Sequence, residues 1–371
     1  MSVGAEPAGQ GDVANPESEA SLLRRIGPKL LISIVLGALF AWLVARGGVP
    51  LWPTAELWQG VAPWTVPLYL TSLLLVHYFR ASRWRFLIEP VQRVPMRDVV
   101  LLNWIGFFAI FAMPLRLGEL ARPALTKLRH GIPISVGLGT VAVERVLDGL
   151  ITSLCVAWAL LVLPRVETSD PIATHLPTYG YAALGLFTCA FIALAMFLWQ
   201  RALARKLTAM TVGLVAPALA ETLAQKVSHV ADGIRSIGNA RLALGFLGES
   251  LLYWGCNALG VWALGVGCGL PMDLGHAVAV MGVLAIGILL PTGPGLFGNF
   301  QLAVSAALRL YFAETLVGSQ GAIFIFLLYL LQSTVMVVAG VIPLYAMRLR
   351  MADLLRVEVG ETDPPPATRA G

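Results

Sequence analysis

Apolar positions gather into nine runs, at about 28–45, 61–79, 99–115, 133–163, 179–199, 244–268, 275–290, 296–313 and 319–347, with short polar connections between most of them. Crossing the hydrocarbon core of a bilayer takes about 20 apolar residues in a helix. The runs at 133–163, 179–199, 244–268 and 319–347 reach that length, whereas 99–115, 275–290 and 296–313 fall short. Runs of this length and apolarity predict an all-α, polytopic transmembrane helix bundle. Residues 23–350 form one membrane domain with halves at about 28–199 and 244–347. Between them, 200–243 reads as a cytoplasmic amphipathic segment on anionic lipid, and residues 1–22 and 351–371 as disordered cytoplasmic tails.

Composition agrees with this class. Hydrophobic residues make up 57% and charged residues 13% of the 371, and mean hydropathy is +0.78, whereas a soluble domain carries about 25% charged residues. The formal charge of +5 comes from basic residues set between apolar runs, which is a topology signal rather than a nucleic-acid footprint. Cys155, Cys189, Cys256 and Cys268 all lie in apolar runs without CxxC or CxxH spacing, so they read as buried, reduced thiols.

Those basic residues assign the sides. Arg24, Arg25 and Lys29 flank the first run, five arginines fill 80–97, Arg116, Arg122, Lys127 and Arg129 follow the third run, and Arg348, Arg350 and Arg356 follow the last. The loops at 46–60 and 164–178 are poor in them. The positive-inside rule then places both termini and the rich loops in the cytoplasm. Residues 80–98 and 116–130 are both rich, with only the short run 99–115 between them. A re-entrant hairpin that leaves on the side it entered resolves this. Backbone of that kind is tolerated where protein or water covers it. The short runs 275–290 and 296–313, separated by Pro291-Thr292-Gly293-Pro294-Gly295, predict a second such hairpin entering from outside. Both segments carry Pro-Met, an apolar stretch, and then Pro with Gly four residues on (Pro114/Gly118 and Pro291/Gly295). An inverted repeat with two Pro/Gly-broken hairpins is expected, and such breaks point to a transporter's binding site.

The candidate chemistry sits where charge meets lipid. Arg116, Glu119 and Arg122 share one face if their segment is helical, and Glu144, Arg145 and Asp148 lie within the run 133–163. A charge at bilayer depth costs at least ~2.5–3.5 kcal/mol, so these groups must pair or face a wet cavity. Surplus guanidinium there suits phosphate, which it can bind with two parallel hydrogen bonds. The carboxylates Glu144 and Asp148 are expected to pair with Arg116 or Arg122, or to titrate and couple transport to protons. Arg80, Arg83 and Trp84 read as an interfacial anchor. Around Pro291, Gly293 and Gly295, backbone N–H groups are free to face an anion or simply to form a turn. No HExxH, GxSxG or P-loop is present and the five histidines are scattered, so no catalytic residue, metal or cofactor is expected.

Four motifs together resemble the transmembrane region of lysylphosphatidylglycerol synthase, the flippase-like family. They are Arg83-Trp84, the run Pro114, Arg116, Gly118, Glu119, Arg122, the run Glu144, Arg145, Asp148, and the late run Pro291, Pro294, Gly295, Gly298. The resemblance covers about residues 28–347 and implies a bacterial inner-membrane protein associated with lipid translocation. The full synthase adds a soluble aminoacyl-transferase domain, and this chain stops at 371 without one, so aminoacylation is not expected. The leading expectation is a non-enzymatic, flippase-like protein whose partner is a membrane lipid with an anionic headgroup, a phospholipid or a polyprenyl phosphate. A membrane-embedded enzyme, or an enzyme partner acting on a lipid-linked sugar or phosphate, is the alternative. A homo-oligomer or a lipid-modifying enzyme partner stays open, and no nucleic acid is expected.

Overall fold

The computed structural model describes residues 53–113, 118–168, 170–199, 240–289 and 294–347, with isolated helical positions between 28 and 42. Among these, helices α1 (Thr65–Ser82) and α2 (Trp84–Ile88) are followed by α3 (Met96–Ala112), α4 (Ala121–His130), α5 (Ile134–Val162) and α6 (Pro171–Trp199). The second half holds α7 (Ala240–Gly267), α8 (Leu274–Gly287), α9 (Asn299–Tyr311) and α10 (Ala322–Ala346). No strand occurs among the described residues, as the run lengths predict. The expected tails and most of the linker 200–243 lie outside the described residues, as do Arg116, Pro291 and Gly293.

Among the described residues three helical stretches are long and apolar enough to cross a bilayer: Ile134–Val162, Pro171–Met196 and Glu314–Ala346. Their outward faces are apolar, with Leu161 75%, Leu186 67% and Tyr345 89% exposed. In water such a surface would aggregate, and in lipid it needs no partner. The chain is a membrane protein. Of the four cysteines Cys268 alone is buried, and Cys189 lies on the exposed face of α6, which corrects the expectation that all four are buried.

Helices α3 and α4 form a closed hairpin. A Cβ on Gly118 would stand 2.1 Å from the Ala109 carbonyl carbon, so only glycine lets the returning chain pass there. Further along, Gly106 faces the Cβ of Arg122, and at the open end His130 Nε2 lies 3.2 Å from Asp98 Oδ2. Helices α8 and α9 form a second hairpin. Asn299 donates to the Gly287 carbonyl at 2.7 Å near the tip, and the rings of His276 and Tyr311 meet at the mouth, 5.4 Å apart. The tip turns through left-handed backbone at Gly295 (φ 71°) and Gly298 (φ 84°), with Leu296 at φ 57° between them. A non-glycine residue in that region costs ~1–3 kcal/mol and persists only where its surroundings impose it.

The two mouths face opposite ends of the bundle. Helix α5 begins four residues after His130 and ends beside the second mouth, where the Val166 amide donates to the Leu310 carbonyl at 3.0 Å. Its 29 residues at about 1.5 Å each separate the mouths by roughly 43 Å. Packing follows the same exchange: α5 lies against α8, the first arm of the second hairpin, and α10 against α3, the first arm of the first, while α1 pairs with α7. Small residues permit the close approach, as where Gly260 faces Ser72 and where Gly340 faces Phe108.

Candidate functional site

The polar centre is built on one face of α5. Glu144 and Asp148 are four residues apart and both buried, at 2% and 7% exposure, so each needs a cation. Glu144 takes its cation from α4: Arg122 donates through Nη1 to Oε1 at 3.2 Å and through Nη2 to Oε2. Arg122 also donates to the Asn103 side chain on α3, which ties both arms of the first hairpin to α5. This is the pairing expected for Arg122.

Asp148 takes a different partner. Arg83 donates through both terminal nitrogens, each at 2.7 Å, to the two oxygens of Asp148, and further to Ser250 at 3.1 Å. Trp254 Nε1 donates to Oδ1 of the same carboxylate at 3.1 Å. Arg83 is 1% exposed and Trp84 fully buried, its Nε1 donating to Thr140 at 3.0 Å. The interfacial-anchor expectation for Arg83 and Trp84 is thereby corrected. An Arg-Trp pair at the end of an apolar run reads as a membrane edge, but here the short helix α2 folds inward against α5 and α7. Next to it Glu249, to which the sequence assigned nothing, accepts from Ser82 and from Arg85 at 2.6 Å.

Two arginines are left over. Among the described residues Arg80 and Arg145 form no ion pair, and the Nε of each is buried without a hydrogen-bond partner. The Arg80 guanidinium stacks 3.9 Å from the Phe107 ring centre, which holds its plane while leaving its edges open. Arg80 therefore faces the interior of the bundle rather than anchoring it at the membrane interface. Both arginines line a cavity of about 90 Å³ between α1, α5, α7, α8 and α10, together with the neutral polar groups Thr152, Tyr253, Asn257 and Gln332. One water needs ~10–15 Å³ on this measure, so several fit. The other wall is apolar: Met281, Leu284, Ala285, Ile288, Leu289 and Leu328. A smaller cavity beside the first hairpin holds Glu119, Arg122 and, again, Arg145.

Of the residues singled out in sequence, Glu119, Arg122, Glu144, Arg145 and Asp148 are thus brought together. Gly295 sits elsewhere, at the tip of the second hairpin, where its carbonyl accepts from the Tyr329 hydroxyl at 3.0 Å. Sequence reasoning missed Tyr253, Trp254, Asn257 and Gln332. A signal was present: Ser250, Trp254, Asn257 and Val261 recur at helical spacing on α7, and Gln332 is an amide in the middle of an apolar helix. Among the described residues no cluster of three metal-binding side chains occurs. The arrangement can hold a negative group at the arginines with an apolar body against the second hairpin.

No curated protein and no solved structure matches the chain. The model of the family described as the lysylphosphatidylglycerol synthase TM region matches residues 30–340, and the chain belongs to that family.

Proposed function

We propose that the protein binds an anionic membrane lipid in the central cavity and carries its headgroup across the bilayer. The observation that supports this reading is the pair of unmatched guanidiniums, Arg80 and Arg145, facing a cavity whose opposite wall is apolar. Uncompensated charge inside a membrane domain is costly unless a counter-ion visits it. A phosphate meets that need and an acyl chain suits the other wall. The opposed mouths of the two hairpins favour an inverted repeat, in which the first hairpin re-enters from the cytoplasm and the second from outside. Both termini are then cytoplasmic, and the membrane is the bacterial inner membrane. The role is transport rather than catalysis.

Liposomes containing only the purified protein, loaded with a fluorescent anionic lipid in one leaflet, test this. The wild type should equilibrate the label between leaflets, whereas Arg80→Gln and Arg145→Gln should not. Neither arginine holds an ion pair among the described residues, so neither change strands a buried carboxylate. Wild-type liposomes that move the label no faster than protein-free ones would overturn the reading.

A further inference from the structure

The charges around the cavity are not balanced, and the imbalance indicates what kind of headgroup belongs there. Among the described residues Asp148 is the one acid that lines it. Its Oδ2 is taken by Arg83 Nη2, and its Oδ1 by Arg83 Nη1 and the Trp254 indole. That carboxylate is matched by one full positive charge and offers none of its own to a ligand. Glu144 is matched in the same way by Arg122, and Glu119 lines the smaller cavity and not this one. Two positive charges therefore face the cavity, each with an Nε that has no acceptor. They come from different helices, Arg80 from α1 and Arg145 from α5. The groups that complete the polar lining, Thr152, Tyr253, Asn257 and Gln332, are all neutral.

We propose that Arg80 and Arg145 form a two-guanidinium clamp for a lipid whose headgroup ends in a dianionic phosphate, a phosphomonoester or a diphosphate, rather than for a phosphodiester. The proposal rests on the lipid-binding reading above and narrows it. A phosphodiester carries one negative charge and would leave one guanidinium unmatched in the membrane interior. A terminal phosphate carries about −1.5 to −2 at neutral pH and three acceptor oxygens, enough to engage both forks. The neutral amides Asn257 and Gln332 add donors without adding charge. Among the described residues no acid faces the cavity unmatched, so a cationic headgroup finds no counter-ion among them.

The test measures binding to the purified protein in non-ionic detergent at pH 8 and pH 5. The probes are phosphatidic acid, phosphatidylglycerol and diacylglycerol with identical acyl chains, farnesyl diphosphate, and inorganic diphosphate. Phosphatidic acid should bind about tenfold more tightly than phosphatidylglycerol at pH 8, the worth of one further charge-assisted hydrogen bond. That preference should shrink at pH 5, because a phosphomonoester takes up its second proton near pH 6 while a diester does not and arginine stays charged. Arg80→Gln and Arg145→Gln should each reduce the preference to near parity. If these variants do not fold, the wild-type pH comparison decides alone. Equal binding of both lipids at pH 8 would overturn the dianion proposal and leave the lipid reading standing. Binding of neither above diacylglycerol would sink that reading itself. Inorganic diphosphate binding as tightly as farnesyl diphosphate would make the free anion the ligand and overturn the lipid part.

Discussion

Arg83 meets Asp148 with both terminal nitrogens at 2.7 Å, across 65 residues of sequence, with both side chains buried. The pair joins the end of α1 to the middle of α5 and, through Ser250 and Trp254, to α7. Breaking such a pair from one side leaves a bare charge in a dry interior, which costs ~3–5 kcal/mol. Removing both sides together costs far less. Asp148→Asn should therefore sharply lower folded yield and melting temperature in detergent, and Arg83→Leu with Asp148→Leu should recover much of the loss. Arg80→Gln, which breaks no pair among the described residues, should express near the wild-type level. Equal melting temperatures for Asp148→Asn and Arg80→Gln would show that the Arg83–Asp148 pair does not hold the bundle.

How this pair escaped the sequence reading shows what a sequence carries. Helix extents are local, so the run 99–115 became α3 at Met96–Ala112 and the run 275–290 became α8 at Leu274–Gly287. The turns were also legible, because the Pro/Gly breaks after the short runs mark where the chain reverses. Arg122 and Glu144 each put charge into or beside an apolar run, so cost alone made Arg116 or Arg122 a partner for Glu144 or Asp148, and left open which pairs form. Arg83 carried no such mark: the run 61–79 ends before it, while α1 continues to Ser82 and α2 bends inward. Its burial depends on α7, whose Phe246, Ser250 and Tyr253 cover it from more than 160 residues away. The cavity was illegible for the same reason, since five helices supply its walls.

Asp273 caps the start of α8 at the mouth of the second hairpin. Its Oδ1 accepts the His276 backbone N–H at 2.9 Å and lies 2.8 Å from the His276 ring Nδ1. The His276 backbone N–H has the largest effect and, with a weaker contribution from the imidazole, holds this carboxyl below the usual carboxylate range against the opposing effect of burial. A depressed folded value means that the stabilisation is full above the unfolded value of about 3.9 and is lost as pH falls through the lowered folded one. Asp273→Ala should cost roughly 0.5–2 kcal/mol near neutral pH. Asp273→Asn, which also caps but cannot ionise, should remove the pH dependence. The measurement is melting temperature between pH 7 and pH 2.5. A wild-type advantage over Asp273→Asn that grows on acidification would contradict the assignment.

The topology is open to chemical labelling. Asp98 and His130 meet at the mouth of the first hairpin, so Gln92 and Leu128, which flank it, lie at one end of the bundle and are expected on one side of the membrane. Val166 binds the Leu310 carbonyl, and Asp170 lies 3.5 Å from Arg309, so Thr168 shares a side with the second mouth at Asp273 and Ala313. Helix α5 runs between the two sides. Single cysteines placed in a background without native cysteines should report this directly. Those at Gln92 and Leu128 should react with a membrane-impermeant maleimide only in inside-out vesicles, and those at Thr168, Asp273 and Ala313 only in intact cells. Labelling of Gln92 and Leu128 from opposite sides would make the first hairpin a true span that ends on the far side of the membrane. The second hairpin would then have no inverted counterpart, and a transport route built on two opposed hairpins would fail with it.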